Sequence, residues 1–515
     1  MIKNKVGRLI PEEIGGRKLE PYGGPFEKEP TARRFGKLQR KMEPGQSKLK
    51  DSIKEAIFAA GLKDEMTISF HHHFRDGDYV VLKVLEVIRE LGIKDLVLAP
   101  SSLTDVHDPI VSYIEAGIIR RIETSGLRGN LGQAISRGIL KEPAIIRSHG
   151  GRARAIEAGE VKIDVAFLGV PACDEYGNAN GYSGKSVCGA LGYALIDAKY
   201  AEKVVLLTDN LVPYPCSPIS IDQTNVDYVV VVDEIGDGSK ISSGAVRVTK
   251  DPRSLLIAQS TTDVIVQSGY FKEGFSMQTG SGNISIAVTQ FLGEKMKEQD
   301  IKASFALGGI TGAFVKLHEE GYINTLVDTQ SLDLEGCRSI RENKNHIEVD
   351  TSFYANPHNG GSIVNKLDVV ILSALEIDVN FNVNTLTGVN GEIRGAVGGH
   401  QDTAAGANLA IIVAPLVRGR IPSVVKEVNN INTPGKTVDV LVTDYGIAVN
   451  PLRKDLIERF NKAQLPIKTI HELQKEAEEI VGVPKGIKYA EDIVALVEYR
   501  DGTIIDVVKK LEIEN

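Results

Sequence analysis

Val111-Ser-Tyr-Ile-Glu115-Ala-Gly117-Ile-Ile119 returns later in the chain as Val315-Lys-Leu-His-Glu319-Glu-Gly321-Tyr-Ile323. The offset, 319 − 115, is 204. Asp164-Val165-Ala-Phe-Leu168 and Asp368-Val369-Val-Ile-Leu372 repeat it, since 368 − 164 is again 204. Asn180 and Asn384 keep the register. One offset held over about seventy residues marks an internal duplication. In the first half, buried-strand candidates start at Leu96, Ala144, Val165 and Val204, and apolar spacing predicts a helix from Tyr79 to Leu91. In the second half the strands start at Ser304, Val369 and Leu409. Apolar runs alternating with helices imply an α/β protein of two homologous, open, mostly parallel sheet domains.

Residues 1–50 lack periodicity and read as an extended N-terminal arm over a partner surface. The first domain is expected over 51–245 and the second over 246–515. Asn450-Pro451 predicts the start of a helix. Thr469 with Glu472 makes a capping box for another, stopped by Gly482. Asp501-Gly502 predicts a closing β-hairpin. These helices and the hairpin are expected as accessories of the second domain.

The chain has 515 residues, 42% of them hydrophobic and 25% charged, enough for large cores and too long for one ordinary domain. A formal net charge of −8 argues against nucleic acid. Cys173, Cys188, Cys216 and Cys337 form no C-x-x-C pair and read as buried, reduced thiols of a cytoplasmic protein. No signal peptide and no membrane-spanning run is expected. Gly184-Lys185-Ser186 lacks the earlier glycine a phosphate loop requires, because Ala179 stands there.

Three stretches carry the chemistry. Gly395-Ala-Val-Gly398-Gly399-His-Gln-Asp402 is a glycine loop whose amides suit an oxyanion or thioester carbonyl. His71-His72-His73-Phe-Arg75 follows an apolar strand start; it suits the polar lining of a carboxylate site, a satisfied structural cluster or a metal site. Metal is the weakest of these, since only Asp76 and Asp78 stand near as further ligands, and none is expected. Asp174-Glu-Tyr-Gly-Asn178-Ala-Asn180 and Glu376-Ile-Asp378-Val-Asn380-Phe-Asn382-Val-Asn384 place acids and amides at matching strand ends, where open α/β sheets bind ligands.

These segments, with Ser373-Ala-Leu-Glu376 and Gly388-Val-Asn-Gly-Glu-Ile-Arg394-Gly395, resemble the CoA-transferase superfamily and, within it, the family of citrate lyase α chains over essentially the whole length. That domain fold is also similar to sugar-phosphate isomerases and sensors. The resemblance implies a transferase that exchanges acetate for citrate on a thioester. The thiol belongs to a CoA-like prosthetic group on a small γ acyl carrier subunit, or to CoA itself, and a β subunit then cleaves the citryl thioester. No tightly bound cofactor is implied. Many superfamily members use a glutamate nucleophile after a Gly-Ile/Leu-x-x pattern, and the stretch from Leu307 to Phe314 holds no Glu. Direct attack by a citrate carboxylate, through a mixed anhydride, is therefore expected. The expected substrate-binding residues are His71, His72, His73, Arg75, Arg394, Asn180 and Asn384. Gly398 and Gly399 are expected to act catalytically, with Glu376 or Asp402 orienting the donors. The alternatives are a glutamate-dependent CoA-transferase for acetate or a hydroxyacid, and a non-catalytic carrier-docking subunit.

Overall fold

The computed structural model describes residues 1–38, 40–242, 249–280 and 282–512. Two large sheets repeat one topology. The first runs, in spatial order, Ala144–Ile146, Ile119–Thr124, Leu96–Leu98, Thr67–Ser69, Val165–Gly169, Lys203–Thr208 and Tyr228–Val231, all parallel. The second runs His346–Glu348, Ile323–Ser331, Ala303–Ile310, Ser276–Thr279, Val369–Ser373, Leu409–Val413 and Val440–Thr443, again parallel. The central strands are buried on both faces, which is why they read as continuous apolar runs.

The residues that keep the register do the same work in each half. Asp164 accepts the Thr67 N–H at 2.7 Å, and Asp368 accepts that of Ser276 at 2.9 Å. Each carboxylate fastens the start of one strand to its neighbour. Asp174 takes the backbone N–H groups of Tyr176 and Asn178 and the Asn178 amide; Asp378 takes those of Asn380 and Asn382 and the Asn382 amide. The duplicated acids are turn locks.

Two expectations about the termini are corrected. The hairpin forms around Asp501-Gly502, with Gly502 at φ +89°, but it does not join the second sheet. Its strand Tyr489–Glu498 pairs in parallel with Ala144–Ile146 at the edge of the first sheet, through Ala495↔Ala144 and Val497↔Ile146. The reason is burial: Ala495 and Val497 enter the core of the first half. The N-terminal arm lies on its own chain. The Asn4 amide donates to the carbonyls of Ile504 and Ile505, and Ile10 and Leu19 pack on Leu496 and Ile504. The arm ends as Leu49–Lys50, an edge strand on Tyr228–Val231. The expected boundary at 245/246 lies outside the described residues.

Smaller elements follow the sequence closely. The helix Val80–Leu91 and the capping box of Ile470–Val481 are present. The helix expected from Pro451 begins at Lys454; Asn450 instead closes a turn ahead of it, its Oδ1 accepting the Leu452 N–H at 3.1 Å and its carbonyl that of Arg453 at 2.9 Å. All four cysteines are buried. No helix among the described residues is long and apolar enough to cross a membrane.

An ion network ties arm, hairpin and first sheet together. Glu498 meets Arg147 at 2.6 Å and also bonds Arg17, while Arg147 reaches on to Glu123. Burial alone would raise the Glu498 carboxyl; the Arg147, Arg17 and Arg154 charges override it and hold it at about 2. Because the folded value lies below the unfolded one, the group's stabilisation is present above about 4.5 and is lost as pH falls through 2. Glu498→Gln will cost on the order of 3 kcal/mol at neutral pH by stranding buried Arg147. It will also flatten the acid loss of stability between pH 4.5 and 2 in thermal melts. Equal acid sensitivity in both proteins would contradict the assignment.

Candidate active site between the two halves

The histidine segment leaves the strand Thr67–Ser69 at its carboxyl end, the ligand end of an open sheet. The His71 and His73 rings lie together, 4.6 Å between centroids, and the His72 ring stacks 6.1 Å from that of His73 with Tyr193 against both, because the chain turns here, Arg75 N–H donating to the His72 carbonyl at 3.0 Å. Hydrogen bonding sets the protons. His71 Nε2 donates to the Gly169 carbonyl at 2.8 Å, so its Nδ1 accepts from His73 Nδ1 at 2.6 Å. Ser101 Oγ accepts the His72 backbone N–H at 3.0 Å and donates to His72 Nδ1 at 2.6 Å. The His72 proton therefore sits on Nε2, free to donate into the seam. Burial pushes all three imidazoles below their ordinary value, so they are neutral donors and acceptors, not cations.

Two residues that the sequence reading missed complete this wall. The His72 ring stacks on His149 at 5.7 Å and meets Tyr193 at 4.5 Å, and His149 and Tyr193 are 4.6 Å apart. Burial and the Arg152 charge hold His149 down at about 3. Its signal was available: Ser148-His-Gly-Gly151 follows the buried strand Ala144–Ile146, and Ser148 caps the helix His149–Glu157.

The second half closes over this surface. Gln330 Nε2 donates to the His72 carbonyl at 3.2 Å. The glycine loop docks on the first half through an antiparallel bridge, Gly126↔Ala396, with Val397 N–H to the Ser125 carbonyl at 2.8 Å. Gly398, at φ +55°, accepts the His149 N–H at 2.9 Å, and a Cβ there would stand 3.6 Å from His149 Nε2. Gly399 must be glycine because a Cβ would meet the Tyr354 hydroxyl at 2.6 Å. The Gly398 N–H leans on the Ser125 carbonyl at 3.5 Å; that of Gly399 makes no hydrogen bond among the described residues. Asp402 accepts Ser148 Oγ and Gly150 N–H, both at 2.9 Å, with Arg500 Nε 3.6 Å away, and burial lifts its carboxyl to about 6. It anchors the helix that carries His149.

Arg75 is the exceptional group. It is 9% exposed, and its guanidinium makes no hydrogen bond or ion pair among the described residues. Burial lowers its pKa, and the charge of Arg128 lowers it further. Its backbone sits at φ +51°, a region a branched-chain or long side chain enters only at a cost. Asp76 offsets part of this from a distance, without a hydrogen bond or ion pair to the guanidinium; a buried cation left without a direct partner on strained backbone is a site prepared for an anion.

Four expected residues lie apart from this cluster or are already engaged. Asn180 spends its carbonyl oxygen on the Tyr182 N–H and its amide on the Pro218 carbonyl; Asn384 binds Leu386 N–H, Thr387 and Glu376. Glu376 accepts from Asn384 and Asn429 and borders a separate cavity of about 230 Å³ with Val389, Pro422 and Ile487. Burial raises its carboxyl against these hydrogen bonds. Arg394 is exposed on the glycine loop's leading segment, beside Gly388. The stretch from Leu307 to Phe314 ends the strand Ala303–Ile310 with a bulge at Gly308/Gly309 and presents no acid.

The family model for the citrate lyase α subunit (CitF) matches residues 46–511. The chain belongs to the citrate lyase α-subunit family. It is 54% identical to the citrate lyase α chain of Klebsiella pneumoniae, over 99% of each chain. With that of Escherichia coli K12 it shares 56% identity over 90% of this chain and 91% of the relative. The α subunit of citrate lyase from Streptococcus mutans, solved in complex with citrate, superposes with a TM-score of 0.96 at 53% identity, covering 99% of this chain and all of that one. A Pseudomonas malonate decarboxylase hetero-tetramer, at 14% identity and a TM-score of 0.64 over 86% of this chain and 94% of its own, shares the fold.

Within this family frame, the strain at Arg75 has a measurable consequence. Arg75→Gly removes both the left-handed penalty and the buried charge, and will raise thermal stability by about 1–2 kcal/mol. A lowered midpoint would mean that the guanidinium is compensated in the free protein.

Proposed function

We propose that this chain is the transferase subunit of a citrate lyase, exchanging acetyl for citryl on a carrier thioester. The observation that carries the reading is Arg75, a buried guanidinium without a partner among the described residues, beside a donor on His72 Nε2. A citrate carboxylate pairs with Arg75 and accepts from His72, charge-assisted contacts worth about 1.5–3 kcal/mol each. The acetyl thioester carbonyl lies against the unspent Gly399 amide, where one oxyanion donor contributes about 3–4 kcal/mol.

A second carboxylate oxygen of citrate then attacks the acetyl carbon. The thiolate leaves, and acetic–citric anhydride forms. The thiolate attacks the citryl carbonyl of that anhydride, acetate departs, and the citryl thioester remains. Carboxylates are weak nucleophiles toward thioesters; holding both reactants in register supplies up to about 7–11 kcal/mol. The protein's own carboxylates support this direct route. Asp78, Asp197, Asp328 and Asp402, the buried acids around the cluster, are each engaged with His107, Arg152, His346 and the Ser148 cap. The thiol belongs to the CoA-like arm of a γ acyl carrier subunit, or to CoA; a β subunit cleaves the citryl thioester, and the complex works in the cytoplasm.

Three outcomes test this. Arg75→Gly will weaken citrate binding at least about tenfold by calorimetry. Incubation of the chain with acetyl-CoA, followed by hydroxylamine or borohydride and peptide mapping, will leave every carboxylate unmodified. A labelled glutamate, or a labelled Asp76 beside Arg75, would establish the covalent route instead. Exchange by the isolated chain without a β subunit separates the transferase from a carrier-docking subunit.

A further inference from the structure

The bridge that joins the halves also brings the backbones of two arginines, one from each half, to adjoining positions. Gly126 pairs with Ala396, and the Leu127 N–H donates to the Gly395 carbonyl at 3.0 Å. One step further, this register puts Arg128 opposite Arg394. Both are exposed, and neither guanidinium has a hydrogen bond or ion pair among the described residues. The Arg128 charge also reaches buried Arg75, whose pKa burial lowers first and Arg128 lowers further. Acids do stand near. Glu392 is taken by Arg137 and the Asn390 amide, and Asp108 by the backbone N–H of Leu131. Asp76 is the acid that acts on Arg75, and no carboxylate pairs with the guanidinium of Arg128 or Arg394 among the described residues.

We infer that Arg128 and Arg394 form a phosphate subsite, outside the citrate position, that grips the phosphate joined to the pantetheine end of the CoA-like arm. This rests on the reading of the chain as a carrier-thioester transferase. The spacing suits it. Arg394 lies four residues from Gly398 along the loop, so their backbones are at most roughly 13 Å apart. Two arginine side chains extend that reach, and pantetheine is built like an extended peptide of about four residues. A thioester carbonyl at Gly399 and a phosphate at the arginine pair are then the two ends of one arm. Guanidinium forks suit a phosphate dianion better than a third carboxylate of citrate, which would have to stretch from Arg75 to the surface. The arrangement also gives the two halves a reason to be pulled together by the carrier, since each contributes one arginine.

The test is direct binding to the full chain, measured by calorimetry with CoA, 4′-phosphopantetheine, pantetheine and citrate. The wild-type chain will hold 4′-phosphopantetheine more tightly than pantetheine. Arg128→Gln and Arg394→Gln will each weaken CoA and 4′-phosphopantetheine about tenfold or more, with pantetheine and citrate unchanged. Arg128→Lys and Arg394→Lys will recover part of the loss, and unchanged thermal midpoints will separate it from misfolding. Three results would overturn the subsite: wild-type protein that does not distinguish 4′-phosphopantetheine from pantetheine, CoA affinity unaffected by either glutamine variant, or citrate affinity falling by the same factor. The last would return the pair to the citrate clamp. Failure of acetyl exchange itself, seen with radiolabelled acetate, would count against the transferase reading and leaves these binding ratios readable.

Discussion

One buried carboxylate, Asp402, fixes the relation of the two halves. It comes from the second half, yet both its oxygens are spent on Ser148 and Gly150, the start of a first-half helix. An anion at a helix N-terminus is favoured by the unpaired N–H groups there, and in a dry interface that attraction is strong. The consequence is positional. His149 is the first residue of that helix, and its N–H reaches the Gly398 carbonyl. The glycine loop and the histidine cluster face each other because this contact holds them so. The bridge between Gly126 and Ala396 and the Gln330 bond to His72 follow the same seam.

The duplication was legible because strand burial leaves an apolar record. Runs such as Val165–Gly169 and Leu409–Val413 have every residue buried, and strand-fastening acids such as Asp164 and Asp368 recur at one offset. The same signal misled the reading of function. Asn180 and Asn384 recur because both halves fold the same turn, and a duplicated turn residue is by nature not an asymmetric ligand. The hairpin was recognised from Asp501-Gly502, but its destination was not, since local turn chemistry does not say which sheet edge lies open. Pairing with Ala144–Ile146 is a contact of very long sequence separation.

The site itself was half legible. The His71–Arg75 segment and the Gly398 loop are linked through His149, which stacks on His72 and donates to the Gly398 carbonyl. His149, Tyr193 and Arg128 were invisible as a set because they come from the starts of three separate helices joined only by the fold. Nor could the sequence say that the three histidines are neutral; that follows from burial and from Ser101 and Gly169 as partners. The left-handed backbone of Arg75 had no sequence signature at all, since glycine is the residue that normally advertises it.

The proposed chemistry needs two anchored reactants and no nucleophile from the protein. Citrate labelled with ¹⁸O in its carboxylates gives the most direct measurement, in a single turnover with the chain in excess over acetyl thioester. Direct attack places one citrate oxygen in the anhydride bridge, and it leaves in the acetate. The account predicts acetate carrying one ¹⁸O in that first turnover. Unlabelled acetate in the first turnover, with label appearing only later, would mean that an enzyme carboxylate stands between the two substrates.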